Sequence, residues 1–320
     1  MPLLTLLLPA RTRFRGQSLP LPLDLGRVLG RADRSTDAPA GLKAQLQRHF
    51  DVIPRQCPEA PITRQLDAHD AIHNAWLRAD PAYVQADING GRMLVCGELG
   101  LSSEDCEALL VPLKLLFGDE GFPISAPVPQ RWYLMLPREC KLPAFPPPED
   151  VLGDDLEPHL PAGDLGRRWR RLLNEAQVIL HNHPLNAGRI VRGQPPVNSL
   201  WFWGGGVLPD FVRTNHASVY GDEAFLRGLA ELAKAPLRAL PSRYAATLRE
   251  GNALIDLRAM RDVGALASDW VLPAMAALRG DDRLQLDFTD GSSFTLARSQ
   301  RWRFWRSGLT HLVEPDRRTG

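Results

Sequence analysis

The chain has 320 residues, of which 44% are apolar and 23% charged, a composition typical of a soluble globular protein with one large or two ordinary domains. It contains 38 lysines and arginines against 37 aspartates and glutamates, which gives a formal net charge of +1. A charge this small creates no overall field that would draw nucleic acid or an acidic membrane to the protein.

The chain begins MPLLTLLLPARTR, which has features of both a signal peptide and a buried strand. The apolar run is short, follows no basic residue and precedes arginines, which favours a strand over Leu3–Leu8. No stretch reaches the roughly 18 apolar residues needed to span a bilayer. The cysteines (Cys57, Cys96, Cys106 and Cys140) lack CxxC spacing, so neither a zinc ribbon nor a disulfide scaffold is indicated. We therefore expect a protein of the reduced bacterial cytoplasm.

The first half of the chain is predicted to contain both helices and strands. The predicted elements are the strand Leu3–Leu8, a short helix at 41–50, a helix at 68–76, a hairpin of 83–87 with 92–96, a helix opened by Ser102, and the strand Arg131–Leu136. Asp80-Pro81 is expected to stop the helix at 68–76. Arg78 and Asp80 are predicted to pair there in a purely structural role.

The second half alternates strand and helix patterns, which favours an α/β layer. The predicted elements are a helix at 164–182, a strand at 197–203, a helix at 222–234, an extended run at 253–257, a mostly helical stretch at 262–279, and a hairpin of 283–288 with 293–297. The predicted domains are the first part of an α/β core (1–60), an α+β subdomain (61–145), a linker (146–163) and the remainder of the core with its hairpin (164–320).

Two histidine motifs have spacings that occur in metal sites. His69 and His73, in HDAIH, are spaced as in the zinc-protease helix, but Asp70 replaces the usual glutamate and no third ligand follows at the usual distance. An ordinary polar helix face is the favoured interpretation. His181 and His183 stand two residues apart, which on a helix points them in different directions. Since Pro184 prevents the helix from continuing, we favour helix capping and packing over metal binding at this motif.

A tryptophan pair and a glycine run follow in the strand predicted at 197–203. Gly204 to Gly206 could cradle a phosphate at the strand end, or serve only as a tight exit from the strand. Trp201 and Trp203 share one strand face, where they could form a stacking platform or anchor a helix on the sheet. In both cases the packing interpretation is favoured.

Arginines and aromatic residues alternate near the end of the chain, in RSQRWRFWRSG (298–308). Basic residues interleaved with aromatic rings can bind nucleic acid. The same pattern is equally typical of a half-buried edge strand with one solvated face. The edge strand is favoured, and nucleic acid is not expected as a partner.

Any small-molecule site is predicted at the end of the strand at 197–203, because ligands of open α/β sheets gather beyond the carboxyl ends of strands. Backbone N–H groups, amides and a guanidinium there could hold a phosphate or carboxylate. The candidate ligand-binding residues are His183, Asn186, Arg189, Asn198, Trp201, Trp203, Gly204, Gly205 and Gly206. The alternative is that Asn186 and Asn198 satisfy buried backbone groups in a turn. No catalytic residue and no metal ligand is assigned.

Residues 169–209, WRRLLNEAQVILHNHPLNAGRIVRGQPPVNSLWFWGGGVLP, resemble the signature segment of the RpfE-type regulatory proteins of bacterial pathogenicity-regulation clusters. AWLRADPAYVQAD (75–87) and FGDEGFPISAPVPQRWYLML (117–136) resemble the same family, so the resemblance covers most of residues 75–210.

The chain is also similar, more distantly, to archaeal-type cofactor-independent phosphoglycerate mutases of the alkaline phosphatase superfamily. Those proteins carry a comparable run, which is matched here at His183, Pro184, Asn186, Arg189, Gly193, Pro195 or Pro196, Asn198, Trp201 or Trp203, and Gly204. The resemblance implies an α/β fold: a reduced alkaline-phosphatase-like, phosphoglycerate-mutase-like core with a small α+β subdomain.

The chain departs from the mutases at the positions that hold their metals. They need two divalent metals and a Ser or Thr nucleophile, yet here the first strand exits as LLLPARTR without an acid, and Asp256 in ALIDLRAM has no following histidine. We therefore expect a cytoplasmic regulatory or binding protein that is non-catalytic and has no cofactor, with a small phosphorylated or carboxylate compound as a possible ligand. The alternatives are a phosphoglycerate mutase or phosphatase that uses Mn or Zn, and a nucleic-acid-binding regulator.

Overall fold

The computed structural model describes residues 3–14, 20–87, 90–249 and 251–313. The chain divides into two compact units. Unit 1 comprises Met1–Cys57 and Asp210–Gly320, and unit 2 comprises Pro58–Pro209.

This division differs from the predicted one at residues 146–209. The predicted linker, 146–163, lies within unit 2, where the backbone N–H of Leu156 donates to the carbonyl of Gly91. Residues 164–209, predicted to belong to the core, also lie in unit 2, because the strand Ser199–Val207 pairs with the strand Ala75–Asp87.

The strands are short in unit 1 and longer in unit 2. In chain order they are β1 (Leu3–Leu8), β2 (Asp33–Ser35), β3 (Asp51–Ile53), β4 (Ala75–Asp87), β5 (Gly90–Cys96), β6 (Ile124–Val128), β7 (Arg131–Leu136), β8 (Ser199–Val207), β9 (Phe211–Arg213), β10 (Ser218–Tyr220), β11 (Leu237–Arg238), β12 (Ala253–Asp256), β13 (Arg283–Phe288) and β14 (Ser293–Ala297).

The helices pack beside these strands. They are α1 (Leu23–Arg31), α2 (Leu42–Gln47), α3 (Glu59–Ala68), α4 (Ser103–Asp119), α5 (Gly163–His181), α6 (Leu185–Val191), α7 (Ala224–Leu232), α8 (Val263–Ala265) and α9 (Leu272–Ala277), with a π-helical stretch, Leu266–Val271, joining the last two. Within the described ranges, no helix combines the length and the apolar character needed to cross a membrane.

Unit 1 is built on a seven-stranded sheet in the order β11-β10-β12-β1-β13-β14-β2. β1 runs parallel to both β12 and β13, and β10 runs parallel to β11 and β12. β1 lies in the middle because its leucines are apolar on both faces, as expected of a strand covered on both sides. The main core contains Leu4, Leu6 and Leu8 together with Trp270 from the π-helical stretch. The predicted α/β layer is confirmed.

Unit 2 is built on an antiparallel sheet centred on β4, which pairs with β5, β7 and β8. α4 and α5 bury their apolar sides in one core with this sheet. Trp169 of α5 stacks on Phe122 with ring centroids 5.5 Å apart, and its edge meets Phe202 of β8. Strands and helices are thus segregated, as in an α+β unit.

The elements with strong local signals are confirmed. Ser102 caps α4 and forms a capping box with Asp105, as the Ser-Ser-Glu-Asp start indicates. α5 buries most of its predicted apolar stripe, although Leu165 at its first turn is exposed. Both predicted hairpins form, β4 with β5 and β13 with β14. The turn between β4 and β5 includes residues 88–89, which lie outside the described residues.

The helix predicted at 68–76 is wrong. α3 ends at Ala68, and His69 takes a left-handed conformation with φ of 57°. The guanidinium of Arg64 then holds Asp70 through a bidentate pair, with both distances 2.6 Å, so that the chain turns back. β4 begins at Ala75 and runs through Pro81.

The edge strand predicted near the end of the chain is also wrong. Residues Arg298–Trp302 form a short 3-10 helix after β14, and bends follow it. Trp302, Phe304 and Trp305 are exposed rather than half-buried.

The carboxylate of Asp80 is the polar centre of unit 2. It accepts hydrogen bonds from Nε and Nη2 of Arg78 at 2.9 and 2.7 Å, from the backbone N–H of Trp132 at 3.1 Å, and from Nε1 of Trp203 at 2.7 Å. The guanidinium also lies over the rings of Trp203 and Tyr133. The predicted pairing of Arg78 with Asp80 is confirmed, but on a strand, where residues two apart share a face.

We predict that Asp80→Ala lowers the free energy of unfolding by about 3–5 kcal/mol, because it leaves the guanidinium of Arg78 buried without its partner. Urea denaturation measures the loss. Asp164→Ala is the matched control, since Asp164 pairs with Arg167 on the exposed face of α5 and a surface pair contributes at most about 1 kcal/mol. An Asp80→Ala protein with the wild-type urea midpoint would contradict the central role of this carboxylate.

Candidate functional site

The carboxyl ends of the parallel strands of unit 1 meet at one edge of the sheet. β1 lies there between β12 and β13, and β10 lies beside β12. Ligands of open α/β sheets bind beyond this edge, near the strand where the order of connections reverses. The segments that follow Leu8, Tyr220, Asp256 and Phe288 therefore form the candidate site, which we call the strand-end edge.

Asp256, the last residue of β12, is engaged by Arg258. Its Oδ1 accepts from the backbone N–H and from Nε of Arg258 at 3.0 and 2.7 Å, and its Oδ2 accepts from Nη2 at 2.7 Å. The same Nη2 donates to Glu223 at 3.1 Å, while Glu223 caps the first turn of α7. Gly221 leaves room for the aspartate, because a Cβ at that position would lie 2.8 Å from the Cβ of Asp256.

The guanidinium of Arg258 carries its charge at this edge under all ordinary conditions. Burial acts to lower its pKa, but the hydrogen bond and charge of Asp256, followed by those of Glu223, outweigh burial and raise the pKa above the usual value. A divalent cation bound to Asp256 would meet this fixed positive charge and would have to displace it. The donor set as built therefore does not fit a metal ion. Among the described residues, no group of three or more His, Cys, Asp or Glu side chains is placed to hold one.

A second arginine lies where β1 leaves the sheet. The backbone N–H and the Nε of Arg11 donate to Oδ2 of Asp290 at 3.2 and 2.8 Å. Oδ1 of Asp290 accepts from the hydroxyl and backbone N–H of Ser292. Asp256 at the end of β12 and Asp290 after β13 are thus each paired with an arginine.

A pair of histidines lies beside Asp287 of β13. His49 Nε2 is 2.6 Å from Asp287 Oδ2, and His216 Nε2 is 3.2 Å from His49 Nδ1. Arg48 donates to both oxygens of the same carboxylate, at 3.1 and 2.6 Å. The hydroxyl of Thr214 donates to the carbonyl of His49 and accepts from the backbone N–H of His216, which ties the backbones of the two residues together.

This histidine cluster resembles the carboxylate–imidazole pairs that orient general bases. Its far end is closed, however, because Nδ1 of His216 is buried and has no hydrogen-bond partner among the described residues. Burial, and then the charge of His49, lowers the pKa of His216 to about 4, so the ring is neutral near pH 7. As built, the cluster stabilises unit 1 and presents no base to a substrate.

Sequence reasoning missed this cluster. His49 and Asp287 are 238 residues apart, and no local motif joins them. The strand pattern gave no signal either, because in RLQLDF Asp287 falls on the same face as Arg283 and Gln285, a pattern typical of a strand with one solvated face.

The side chains of Asn186 and Arg189 bind the backbone of unit 2. Asn186 Nδ2 donates to the carbonyls of Leu180 and Val197, and its Oδ1 accepts from the N–H of Val197. Arg189 is fully buried and donates to the carbonyls of Pro195 and Leu99.

The side chains of His183 and Asn198 also form hydrogen bonds with backbone groups of unit 2. His183 Nδ1 accepts from the N–H of Leu185 at 3.2 Å, next to the end of α5. Asn198 clamps Val84 of β4, accepting from its N–H at 2.9 Å and donating to its carbonyl at 2.7 Å. These contacts favour the alternative in which the asparagines satisfy backbone groups.

Trp201 and Trp203 anchor β8 within unit 2. Both are buried in one small cluster, and their indole N–H groups donate to the carbonyl of Pro146 and to Asp80. The geometry therefore favours anchoring over a stacking platform.

Gly204, Gly205 and Gly206 belong to β8, which continues to Val207 beside β4. Gly204 has φ of 67°, and a Cβ on Gly206 would lie 2.7 Å from the side chain of Pro58. The glycines permit this bulged strand and the close approach of its neighbours.

The helix face predicted for His69 and His73 does not form. His69 ends α3 and His73 lies in the turn before β4, so the HDAIH residues share no helix face. His181 is the last residue of α5 and Asn182 is its C-cap, which agrees with a capping role.

No family model matches the chain. In sequence it is 34% identical over 88 residues to the 2,3-bisphosphoglycerate-independent phosphoglycerate mutase of Methanosarcina mazei, covering 28% of this chain and 22% of that protein. It is 32% identical over 118 residues to the protein of the same description from Methanosarcina barkeri, covering 35% and 28%. A probable 2,3-bisphosphoglycerate-independent phosphoglycerate mutase of Geobacter sulfurreducens is 33% identical over 111 residues, covering 34% and 27%.

Two solved structures are similar over most of the chain. The cofactor-independent phosphoglycerate mutase of Thermoplasma acidophilum is matched with 18% identity and a TM-score of 0.43, covering 92% of this chain and 89% of that one. The PH0037 protein of Pyrococcus horikoshii is matched with 11% identity and a TM-score of 0.48, covering 92% and 87%. In sequence, the matched part spans only about a quarter of the length of the mutases in the first comparison. Part of the chain is thus distantly homologous to these mutases.

We predict that the stability of unit 1 falls as the pH drops from about 6.5 to about 4. The pKa of His216 is lowered in the folded protein, so in this window the unfolded chain binds the proton more strongly and is favoured. At about 1.4 kcal/mol per pKa unit the loss reaches roughly 3 kcal/mol. Urea unfolding at a series of pH values measures it, and His216→Gln should flatten this part of the profile. The exposed His73→Gln is the control, and equal profiles for wild type and His216→Gln would refute the prediction.

We predict that Asn198→Ala and Arg189→Ala each lower stability without any ligand, by about 1–3 kcal/mol, because each leaves buried backbone groups unpaired. Asn182→Ala is the control, since its side chain binds one exposed carbonyl at a helix end. Urea unfolding measures stability, and thermal shifts with phosphorylated three-carbon acids measure binding. If both variants kept wild-type stability and lost a shift that the wild type shows, a ligand site at the end of β8 would replace this interpretation.

Proposed function

We propose that the chain is a cytoplasmic regulatory or binding protein on a phosphoglycerate-mutase-like scaffold, and that it does not catalyse the mutase reaction. The sequence resemblance to RpfE-type regulatory proteins of bacteria supports a regulatory role. The distant homology to phosphoglycerate mutases supports the scaffold. The observation that carries the proposal is the pairing of Asp256 with Arg258 at the strand-end edge.

The Asp256–Arg258 pair changes what this edge can bind. Phosphoryl transfer requires cations that neutralise the charge of the transferring group. Here both oxygens of Asp256 are held by a guanidinium, which is always protonated and cannot coordinate a substrate oxygen as a metal does. The charge of Asp256 is therefore already balanced by a guanidinium, which suits a scaffold that does not carry out the metal-dependent step.

The ligand class proposed for this binding protein is a small phosphorylated or carboxylate compound, which follows from the amide, guanidinium and backbone N–H donors of the sequence around 183–206. The competing proposal is a phosphoglycerate mutase or phosphatase that uses Mn or Zn. The two differ in what happens when metal and substrate are added together.

We expect the purified protein to hold no stoichiometric Mn or Zn by elemental analysis, and to interconvert no phosphoglycerate isomers when Mn²⁺ is supplied. The reason is the fixed charge of Arg258 beside Asp256. One of the mutases similar to this chain, assayed in parallel, is the positive control. About two metals per chain, or turnover that depends on Mn²⁺, would contradict the proposal that the protein does not catalyse the mutase reaction.

The Arg258→Ala variant tests directly whether the guanidinium blocks metal binding. Removing the guanidinium should destabilise unit 1, and added Mn²⁺ should then raise the melting temperature of the variant but not that of the wild type. Arg261→Ala is the matched control, because Arg261 donates only to the backbone carbonyls of Arg258 and Met260. A Mn²⁺-induced rise in the wild type equal to that of the variant would show that Arg258 does not block the metal.

A further inference from the structure

We propose that the segment Arg298–Arg306, which follows β14 in unit 1, binds single-stranded nucleic acid by stacking bases on exposed aromatic rings between arginines. We call it the aromatic–arginine segment. The proposal goes beyond the proposed function, because it concerns a separate surface and does not depend on what the strand-end edge binds.

The rings of the segment are open to solvent. Trp302, Phe304 and Trp305 are 65%, 78% and 70% exposed. Large apolar side chains exposed singly are ordinary, whereas neighbouring ones mark an interaction surface. Phe304 and Trp305 also meet edge to face with centroids 5.6 Å apart, so they form one apolar surface.

The exposure is not that of a loose chain end, because hydrogen bonds hold the backbone beneath the rings. Gln300 is buried and bonds the backbone N–H of Ala297, the carbonyl of Thr295 and the carboxylate of Asp33. Nη1 of Arg31 at the end of α1 donates to the carbonyl of Arg301 at 2.8 Å.

The segment also binds back to α1. Arg303 donates to the carbonyl of Arg31, and Arg306 to that of Ala32. Gly30 permits close packing, since a Cβ there would overlap the backbone at Ser307 and Gly308. The structure thus fixes the backbone of the segment while presenting its rings outward.

The charge around these rings suits a polyanion. Arg298 and Arg301 are exposed, and among the described residues neither forms an ion pair with a carboxylate. The guanidinium of Arg301 lies over the ring of Trp302, 4.9 Å from its centroid. Arg303 and Arg306 share one carboxylate, that of Asp33. The segment keeps an excess of positive charge, although the whole chain is nearly neutral.

The pattern favours single-stranded nucleic acid over a membrane surface. Residues 298–306 contain no aliphatic side chain, and arginines alternate with rings instead of occupying an opposite face. A peripheral membrane helix separates an apolar face from a basic one, and here only a single 3-10 turn is helical. Arginine next to aromatic rings is the arrangement that stacks unpaired bases and contacts their phosphates.

The test measures the binding of a labelled oligothymidine of about 12 nucleotides by fluorescence anisotropy. We expect binding that weakens with salt, and a duplex of the same length should bind more weakly because its bases are already stacked. The double variant Trp302→Ala/Trp305→Ala should lose at least about tenfold in affinity while keeping the wild-type melting temperature, since both rings are exposed. Phe211→Ala, which removes another exposed ring of unit 1, is the control and should bind as the wild type does.

Charge is tested separately. Arg298→Ala should weaken binding and reduce the slope of log affinity against log salt by about 0.7, the value for one phosphate contact on a single strand. Arg167→Ala, an exposed arginine of unit 2, should change neither. Wild-type affinity in the tryptophan double variant would overturn the proposal, because charge alone would then explain binding. No binding of the oligonucleotide, together with binding to phosphatidylglycerol vesicles that the double variant loses, would overturn it in favour of a membrane surface.

Discussion

Both units depend on buried carboxylates that are paired with arginine side chains. Asp80 in unit 2 and Asp256 in unit 1 each receive a bidentate guanidinium from a residue two positions away in the chain. Asp287 receives one from Arg48 across the fold. An unpaired buried carboxylate is strongly destabilising, and the planar guanidinium satisfies both of its oxygens at once. The same pairing underlies the proposed function, because a carboxylate held in this way is not available to a metal ion.

The sequence predicts elements well where the signal is local, and less well where tertiary pairing decides. α4, α5 and both hairpins were found because caps, apolar stripes and turn residues lie within a few positions of one another. The stretch at 68–76 was misread because β4 is the central strand of its sheet, with partners from distant segments. The HDAIH residues, predicted as a polar helix face, instead form the turn between α3 and β4.

Part of the candidate site could be predicted from the sequence. In an extended chain, residues two apart lie on the same side, so the pattern of an acid and an arginine separated by one residue indicates a pair that satisfies itself. Arg78 and Asp80 follow this pattern in β4, and Asp256 pairs with Arg258 at the same spacing although Arg258 lies in the turn after β12. The cluster of His49, His216 and Asp287 could not be predicted from the sequence, because it forms only when β13 and the segments around β3 and β9 come together in the fold. The spacing of residues in the sequence predicts a site only when its residues are close together in the chain.

The strand-end edge and the aromatic–arginine segment of unit 1 differ in how much free energy each could gain by binding a ligand. At the strand-end edge Asp256 and Asp290 are already paired with arginines, and a ligand that binds either group would have to break the existing ion pair. At the aromatic–arginine segment the rings face water, and their burial against a partner replaces no protein contact. Binding is therefore favoured at the exposed segment, while the ion pairs of the edge hold the segments that follow β1, β12 and β13. The two proposals are therefore compatible, because a binding surface after β14 does not require a reaction at the strand-end edge.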